Sequence, residues 1–250
     1  MKVTLDGKVA IVTGAAGGIG VATVREFLES DAKGVVGVDL AERPAELAGA
    51  ERLRWVKGDL ALEETAKEYT RVAVETFGRI DLLVNNAAVS VIKPIHEHTA
   101  GEWDAVMNVN VKANYFAARH VIPVMMKQRS GLILNMGSIS GAVGIATQGA
   151  YGPSKGAIHQ MTRQMAVEYA PFGIRVNAIA CGTVDTPLVH RSAAASGDAE
   201  KYWRMLRENH PIGRIASVEE VASFLTYMAS DLASFFTGAV IAMDGGYTAR

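Results

Sequence analysis

The sequence predicts an α/β fold: a Rossmann-type, doubly wound, seven-stranded and mostly parallel sheet with helices on both faces. Three observations predict it. Short apolar runs alternate with helical patterns almost from end to end. The runs carry no polar alternation, as expected of strands covered by helices on each side. A glycine cluster, Thr13-Gly14-Ala15-Ala16-Gly17-Gly18-Ile19-Gly20, stands between the first run and the first helical pattern. A closed eight-stranded barrel is the competing fold at this length. Seven runs and the glycine cluster favour the open sheet.

The first strand is expected at residues 8–13, where KVAIVT is stopped by glycine. A helix follows at 18–30, with Ile19, Ala22, Val24, Phe27 and Leu28 on one face. Further strands are expected at 35–39, 53–57, 81–84, 132–136, 174–179 and 239–243. Helices are expected at 63–77, 101–127, 150–170 and 218–229, with crossovers right-handed. Residues 41–47 have room for a helical turn. Residues 186–211 are polar and Ala/Ser-rich, with no clear strand. They read as an excursion over the carboxyl edge of the sheet, where ligands sit in such folds.

The chain has 250 residues, 49% hydrophobic and 20% charged. That composition is globular, and the length suits one large domain or two small ones. No linker interrupts the alternation, so a single domain over 1–250 is expected, with 186–211 as a lid within it. A net charge of −1 argues against a nucleic-acid binder and gives no pull toward anionic membranes. The single cysteine, Cys181, excludes an intramolecular disulfide and a cysteine-built zinc site. No uninterrupted apolar stretch reaches the length of about 18 residues that spans a bilayer. No signal segment is read at the start, and cytoplasmic residence is the expectation. His96 and His98 have no third ligand spaced for zinc, so no metal is expected.

Gly14, Gly18 and Gly20 stand where a tight strand-to-helix turn lets backbone N–H groups hold a pyrophosphate. Asp39 ends the second strand, about 20 residues on, where a carboxylate accepts from a ribose 2′-hydroxyl and repels a 2′-phosphate. Its ordinary alternative is a turn or cap aspartate. NAD is thus expected over NADP, with Arg43 the one cation near enough to oppose it. Asp59 suits the adenine amino group or the cap of the next helix, and both can hold. Asn86, Ala87 and Ala88 follow the fourth strand, where small residues let the chain pass close to a cofactor.

Tyr151 and Lys155 are four residues apart and share a helix face. An ammonium beside a phenol, and a positively charged nicotinamide, both favour the phenolate. That yields a proton acceptor for an alcohol or a donor for a ketone. A solvated helix pair is the ordinary alternative. Ser138 lies just past the fifth strand, where its hydroxyl could polarise a substrate oxygen. Asn110 sits inside a helix that asparagine does not favour. It either kinks that helix around a water or makes a core hydrogen bond.

Taken in order, TGAAGGIG, Asp39, Asp59, NNAA, Asn110, Ser138 and YGPSK resemble the short-chain dehydrogenase/reductases over essentially the whole chain, in their NAD-preferring form. The resemblance implies Tyr151 as general acid/base, Lys155 as the group that lowers its pKa and binds the nicotinamide ribose, and Ser138 as stabiliser of the substrate oxygen. It implies Asn110 as holder of a proton-relaying water. Cofactor contacts are then expected at Gly14, Gly17, Gly18, Ile19, Gly20, Asp39, Leu40, Asp59, Leu60, Asn86, Ala87, Ala88, Tyr151 and Lys155. By the same likeness they extend to Gly182, Val184 and Thr186. Substrate contacts are expected at Ser138, Ser140, Val143, Tyr151, Gly182, Leu188 and Trp203.

Two positions depart from the family pattern. Ala88 stands where NNAG has glycine, and Cys181-Gly182 where Pro-Gly is usual. The first narrows the space beside the nicotinamide; the second loosens a turn and puts a thiol near it. His190, Arg191, Trp203, Arg204 and Arg207 make the lid either an anion-admitting surface or a solvated amphipathic helix. The expected activity is hydride transfer between NAD(H) and a secondary alcohol or ketone, in a homotetramer. The alternatives are an NADPH-dependent 3-oxoacyl-thioester or carbonyl reductase and a non-catalytic dinucleotide-sensing protein.

Overall fold

β1 (Val9–Thr13) is buried along its whole length, which only a strand covered on both faces can be. The structure, a computed structural model, describes residues 3–249. It contains one seven-stranded sheet in the order β3-β2-β1-β4-β5-β6-β7. The other strands are β2 (Gly34–Asp39), β3 (Leu53–Lys57), β4 (Leu82–Asn85), β5 (Gly131–Met136), β6 (Ile174–Cys181) and β7 (Val240–Met243). Every pairing between these strands is parallel, as the expected fold class requires.

Helices cover both faces: α1 (Gly18–Glu29), α2 (Glu63–Phe77), α3 (Ala100–Met107), α4 (Ala113–Gln128), α5 (Tyr151–Tyr169), α6 (Pro187–Ala195), α7 (Ala199–Glu208) and α8 (Val218–Ala229). One core lies under α1 and α8, around Val12, Phe27, Leu134 and Leu225. The other lies under α2, α4 and α5, around Ile11, Tyr69, Phe116 and Ile133. Alternate residues of each strand feed the two cores, as the period of two demands.

The single helix expected at 101–127 is two α-helices joined by a π-turn over Asn108–Lys112. Residues 186–211 form α6 and α7, helical structure that the strand reading left open. Both bury little: Leu206 is the one buried residue of α7. No helix among the described residues is long and apolar enough to cross a membrane.

The strand order reverses between β1 and β4, so a crevice opens at their carboxyl ends. Side-chain amides bind that region together. Asn86 Nδ2 donates to the carbonyls of Thr13 and Gly14, 3.0 Å each. Thr13 Oγ1 accepts from the Asn86 amide at 3.0 Å. One layer on, Asn85 Nδ2 donates to Asn135 Oδ1 and Asn135 Nδ2 to Thr162 Oγ1, both at 2.9 Å.

Candidate active site

The glycine turn opens the crevice. Gly14 has φ +67°, and a Cβ on it would stand 2.8 Å from Ala87 Cα. A Cβ on Gly20 would stand 2.0 Å from the Gly14 carbonyl oxygen. Only glycine permits this turn to close against the chain after β4. Gly17 caps α1 without a side chain and faces open space. The first amides of α1 therefore point, uncapped, into a cradle of the kind that holds a diphosphate. Gly18 lies against Thr186, whose Cγ2 would be 3.1 Å from a Cβ there. Thr186 thus closes the cradle from the lid side, at the N-terminus of α6. Ile19 is half-buried against the core under α1.

Asp39 stands beside this cradle. One carboxylate oxygen accepts from Ala16 N and the other from Ala41 N, each at 3.0 Å. The turn role is therefore filled, and the carboxylate stands at the edge of the glycine loop. Arg43 is engaged elsewhere. Its guanidinium donates to the carbonyls of Leu47, Ala48 and Ala50, the last two at 3.0 Å. Leu40 is exposed and Leu60 half-buried. Exposed Asp59 accepts from Ala61 N at 2.9 Å, a turn contact just ahead of α2. Ala88 is exposed past the end of β4. These residues fit a dinucleotide: a bare cradle for phosphates, and a carboxylate one strand away.

Across the crevice, Tyr151 opens α5 and Lys155 follows one turn later. Pro153 is tolerated in that first turn because the amides there have no intrahelical partner. Lys155 is buried, donates through Nζ to the Met136 carbonyl at 2.6 Å, and lies 5.4 Å from the Tyr151 ring centre. Ser138 hydrogen-bonds the Tyr151 hydroxyl. Its Oγ also donates to Ser140 Oγ at 3.1 Å, and Ser140 donates to Gln148 Oε1. The four side chains form one polar line from β5 to the loop ahead of α5.

Burial sets the titration of this cluster. It pushes Tyr151 up to about 12, against the pull of the Ser138 hydrogen bond. It pushes Lys155 down to about 8. Without the nicotinamide, the expected pull toward the phenolate is outweighed by burial. The ammonium is spent on the Met136 carbonyl, and desolvation dominates both groups. Cys181 is the last residue of β6, buried, with its thiol pushed up to about 12. It is not in a turn, so the expected loosening is corrected.

Asn110 occupies the π-turn and is 1% exposed. Its Oδ1 accepts from Val89 N at 2.8 Å, and Nδ2 donates to the Val89 carbonyl and to Ser154 Oγ, 3.0 Å each. Helix distortion and satisfied core hydrogen bonds thus coexist.

The β6–α6 turn is held by His210. Its Nε2 accepts from Thr183 N at 3.0 Å, and Nδ1 donates to the Leu206 carbonyl at 2.7 Å. A Cβ on Gly182 would meet that ring at 2.7 Å. Val184 is buried and bridges Ala216. Two of the lid's basic side chains are answered: His190 meets Asp185 at 2.6 Å and Arg204 meets Glu200 at 3.3 Å. Trp203 packs edge-on against His190 at 4.9 Å, and Leu188 is exposed. Val143 lines a cavity of about 340 Å³ with Ser140, Gln148 and Gly152. Ser154, Gln148 and Thr13 were not singled out from the sequence. The first had a signal, since it lies three residues from Tyr151 and four from Ala150 in the same first turn.

This geometry is that of a nucleotide-binding oxidoreductase. A family model described as enoyl-(acyl carrier protein) reductase matches residues 14–248. The chain belongs to the short-chain dehydrogenase/reductase family, whose members use NAD(P). It is 41% identical to cis-4-hydroxycyclohexanecarboxylate dehydrogenase of Sinomonas cyclohexanicum, over 97% of each chain. It is 37% identical to the 3-oxoacyl-[acyl-carrier-protein] reductase of Thermotoga maritima, over 97% of this chain and 98% of that one. The solved structure of levodione reductase superposes with a TM-score of 0.93 at 30% identity, covering 98% of this chain and 99% of that one.

Proposed function

We propose that the chain is an NAD-linked dehydrogenase that interconverts a secondary alcohol and a ketone, with Tyr151 as general acid/base. The observation that carries this is the line Lys155–Tyr151–Ser138 at the carboxyl edge of β5. Ser138 and Tyr151 lie within hydrogen-bond reach of each other, so a substrate oxygen beside them could accept from the Tyr151 hydroxyl and, once it turns from Ser140, from that of Ser138. Tyr151 takes the hydroxyl proton in oxidation and returns it in reduction. Lys155 holds a positive charge under the ring, anchored by Met136. When bound, the nicotinamide supplies the hydride acceptor or donor and, when oxidised, a positive charge. Asn110 keeps the chain after β4 in register with α5, and the resemblance assigns it a water on the proton route.

NAD is favoured by Asp39 at the cradle and by Arg43 being committed to three carbonyls. The 37% identical acyl-carrier reductase supports a second reading, NADPH-linked reduction of a 3-oxoacyl thioester. kcat/KM with each cofactor separates them: a preference for NADPH overturns the first. The 41% identical relative makes cyclic secondary alcohols bearing a carboxylate the first substrates to assay. NADH formation across a panel of such alcohols, with Tyr151→Phe as control, tests the whole assignment. Unchanged turnover in Tyr151→Phe overturns the role of the tyrosine. The same reading takes the chain as one catalytic unit with a lid at 186–211, cytoplasmic, and a homotetramer.

A further inference from the structure

His159 lies one turn beyond Lys155 on α5, 3% exposed, and has no part in the chemistry above. Its ring fits between two glycines that flank Ser138. A Cβ on Gly137 would stand 2.6 Å from His159 Nε2, and one on Gly141 would stand 2.6 Å from Cε1. Real Cβ atoms do not approach so closely, so both positions require glycine while the imidazole is there. One ring nitrogen donates to the Gly141 backbone, while Nε2 is buried with no hydrogen-bond partner. The unpartnered end faces the Gly137 backbone, which offers it only a Cα–H.

The same helix face prepares the rest of the docking. A Cβ on Gly152 would be 3.3 Å from the Ser140 carbonyl, and one on Gly156 would be 3.6 Å from the Gly141 carbonyl. The turn from Ser138 to Gly141 therefore lies flat on α5, with His159 as its polar peg. Burial, then the charges of Arg163 and Lys155, hold the imidazole neutral. A neutral ring donates at one nitrogen only, which matches the single bond it makes.

We propose that His159 is a positioning residue: wedged between Gly137 and Gly141, it fixes the segment bearing Ser138 against the helix bearing Tyr151 and Lys155. This rests on the proposed dehydrogenase reading for its kinetic consequence, and on geometry alone for its structural one. A misplaced Ser138 no longer shares one substrate oxygen with Tyr151, and a displacement of about 1 Å is worth about 10- to 100-fold in rate.

Three variants test it. His159→Leu fills the volume and donates nothing. His159→Asn keeps a donor at the position of Nδ1. Gly137→Ala forces a methyl into the ring. His159→Leu is expected to lower kcat about 10- to 100-fold, with KM for NAD+ unchanged and the pH profile keeping its midpoint. His159→Asn should recover most of the loss. Gly137→Ala should be impaired alone and improved when combined with His159→Asn, because the shorter amide clears the methyl. Hydrogen exchange in the protein without ligands should quicken at residues 138–143 in His159→Leu and stay unchanged in α1.

Wild-type turnover in His159→Leu, or no recovery in His159→Asn, overturns the proposal. A shifted pH midpoint also overturns it, since the role would then be electrostatic. If the wild type oxidises no alcohol with NAD+, the dehydrogenase reading fails. The exchange measurement then still decides whether His159 holds the turn.

Discussion

Asn110 Nδ2 lies 3.0 Å from Ser154 Oγ, so the π-turn between α3 and α4 is bolted to the first turn of α5. The same amide group grips both backbone groups of Val89. Three segments that bound the crevice thus meet at one buried asparagine. Asn110→Ala should lose about 1–3 kcal/mol of stability, since buried partners are left unpaired. Ser154→Ala removes one partner and should lose about 1 kcal/mol. Urea unfolding with an unchanged m-value checks both; equal losses would show that Val89 contributes nothing.

Lys155 should make stability depend on pH. Its ordinary value is 10.5 and burial holds it at about 8. Between these values the unfolded chain binds more protons than the folded one, so stability rises with pH. Below 8 the folded chain carries the full penalty, about 3 kcal/mol. The thiol of Cys181, raised from 9.0 to about 12, works in the opposite direction above 9. The rise is therefore confined to about pH 8–9. Lys155→Met should flatten the melting temperature across that window while abolishing turnover. A wild-type melting temperature that falls from pH 8 to 9 would contradict the assignment.

Tyr69 is fully buried, and its hydroxyl has no hydrogen-bond partner. Burial also pushes its pKa upward. Tyr69→Phe removes an unpaired polar group and keeps the ring, so it should stabilise the chain by about 1 kcal/mol. Calorimetry reads this as a raised melting temperature; a lowered one would mean that the hydroxyl is satisfied.

The proposed tetramer has a surface to account for. β7 is the edge strand of the sheet, and next to it Phe235 is fully exposed, with Phe236 and Leu232 also exposed. Apolar residues beside an unpaired strand edge are a pairing surface. Phe235→Asp should shift the mass measured by light scattering toward a smaller assembly. A wild type that runs as a monomer would remove the homotetramer from the reading.

The sheet was legible because buried parallel strands announce themselves as short apolar runs. β3, α2 and α8 were placed to the residue, and the other strands within one or two positions. The glycine turn, Asp39 and the Tyr151–Lys155 pair were legible because local spacing fixes them. The lid helices were not. Two helices of 9 and 10 residues joined by a short turn carry too few apolar residues to fix their ends, although Tyr202, Trp203 and Leu206 stand at helical spacing in α7. His210, at the end of the same segment, is a buried acceptor for Thr183 N, a contact that no local spacing announces. His159 was invisible for a different reason. Its neighbours Gly137 and Gly141 come from another element, and only the docking of that turn on α5 reveals the fit.

The pairing of β1 with β4 bridges segments 72 residues apart, as in the bond from Val9 N to Asp81 Oδ2. The glycine turn leans on Ala87 just beyond that seam. A nascent chain that has completed β1 to β3 already contains every glycine of the cradle, yet it has no wall for them to close on. Competence to hold a nucleotide must therefore wait for a pairing across 72 residues of chain. The bound nucleotide then acts as a clasp across two halves of a sheet that chain continuity alone joins only loosely.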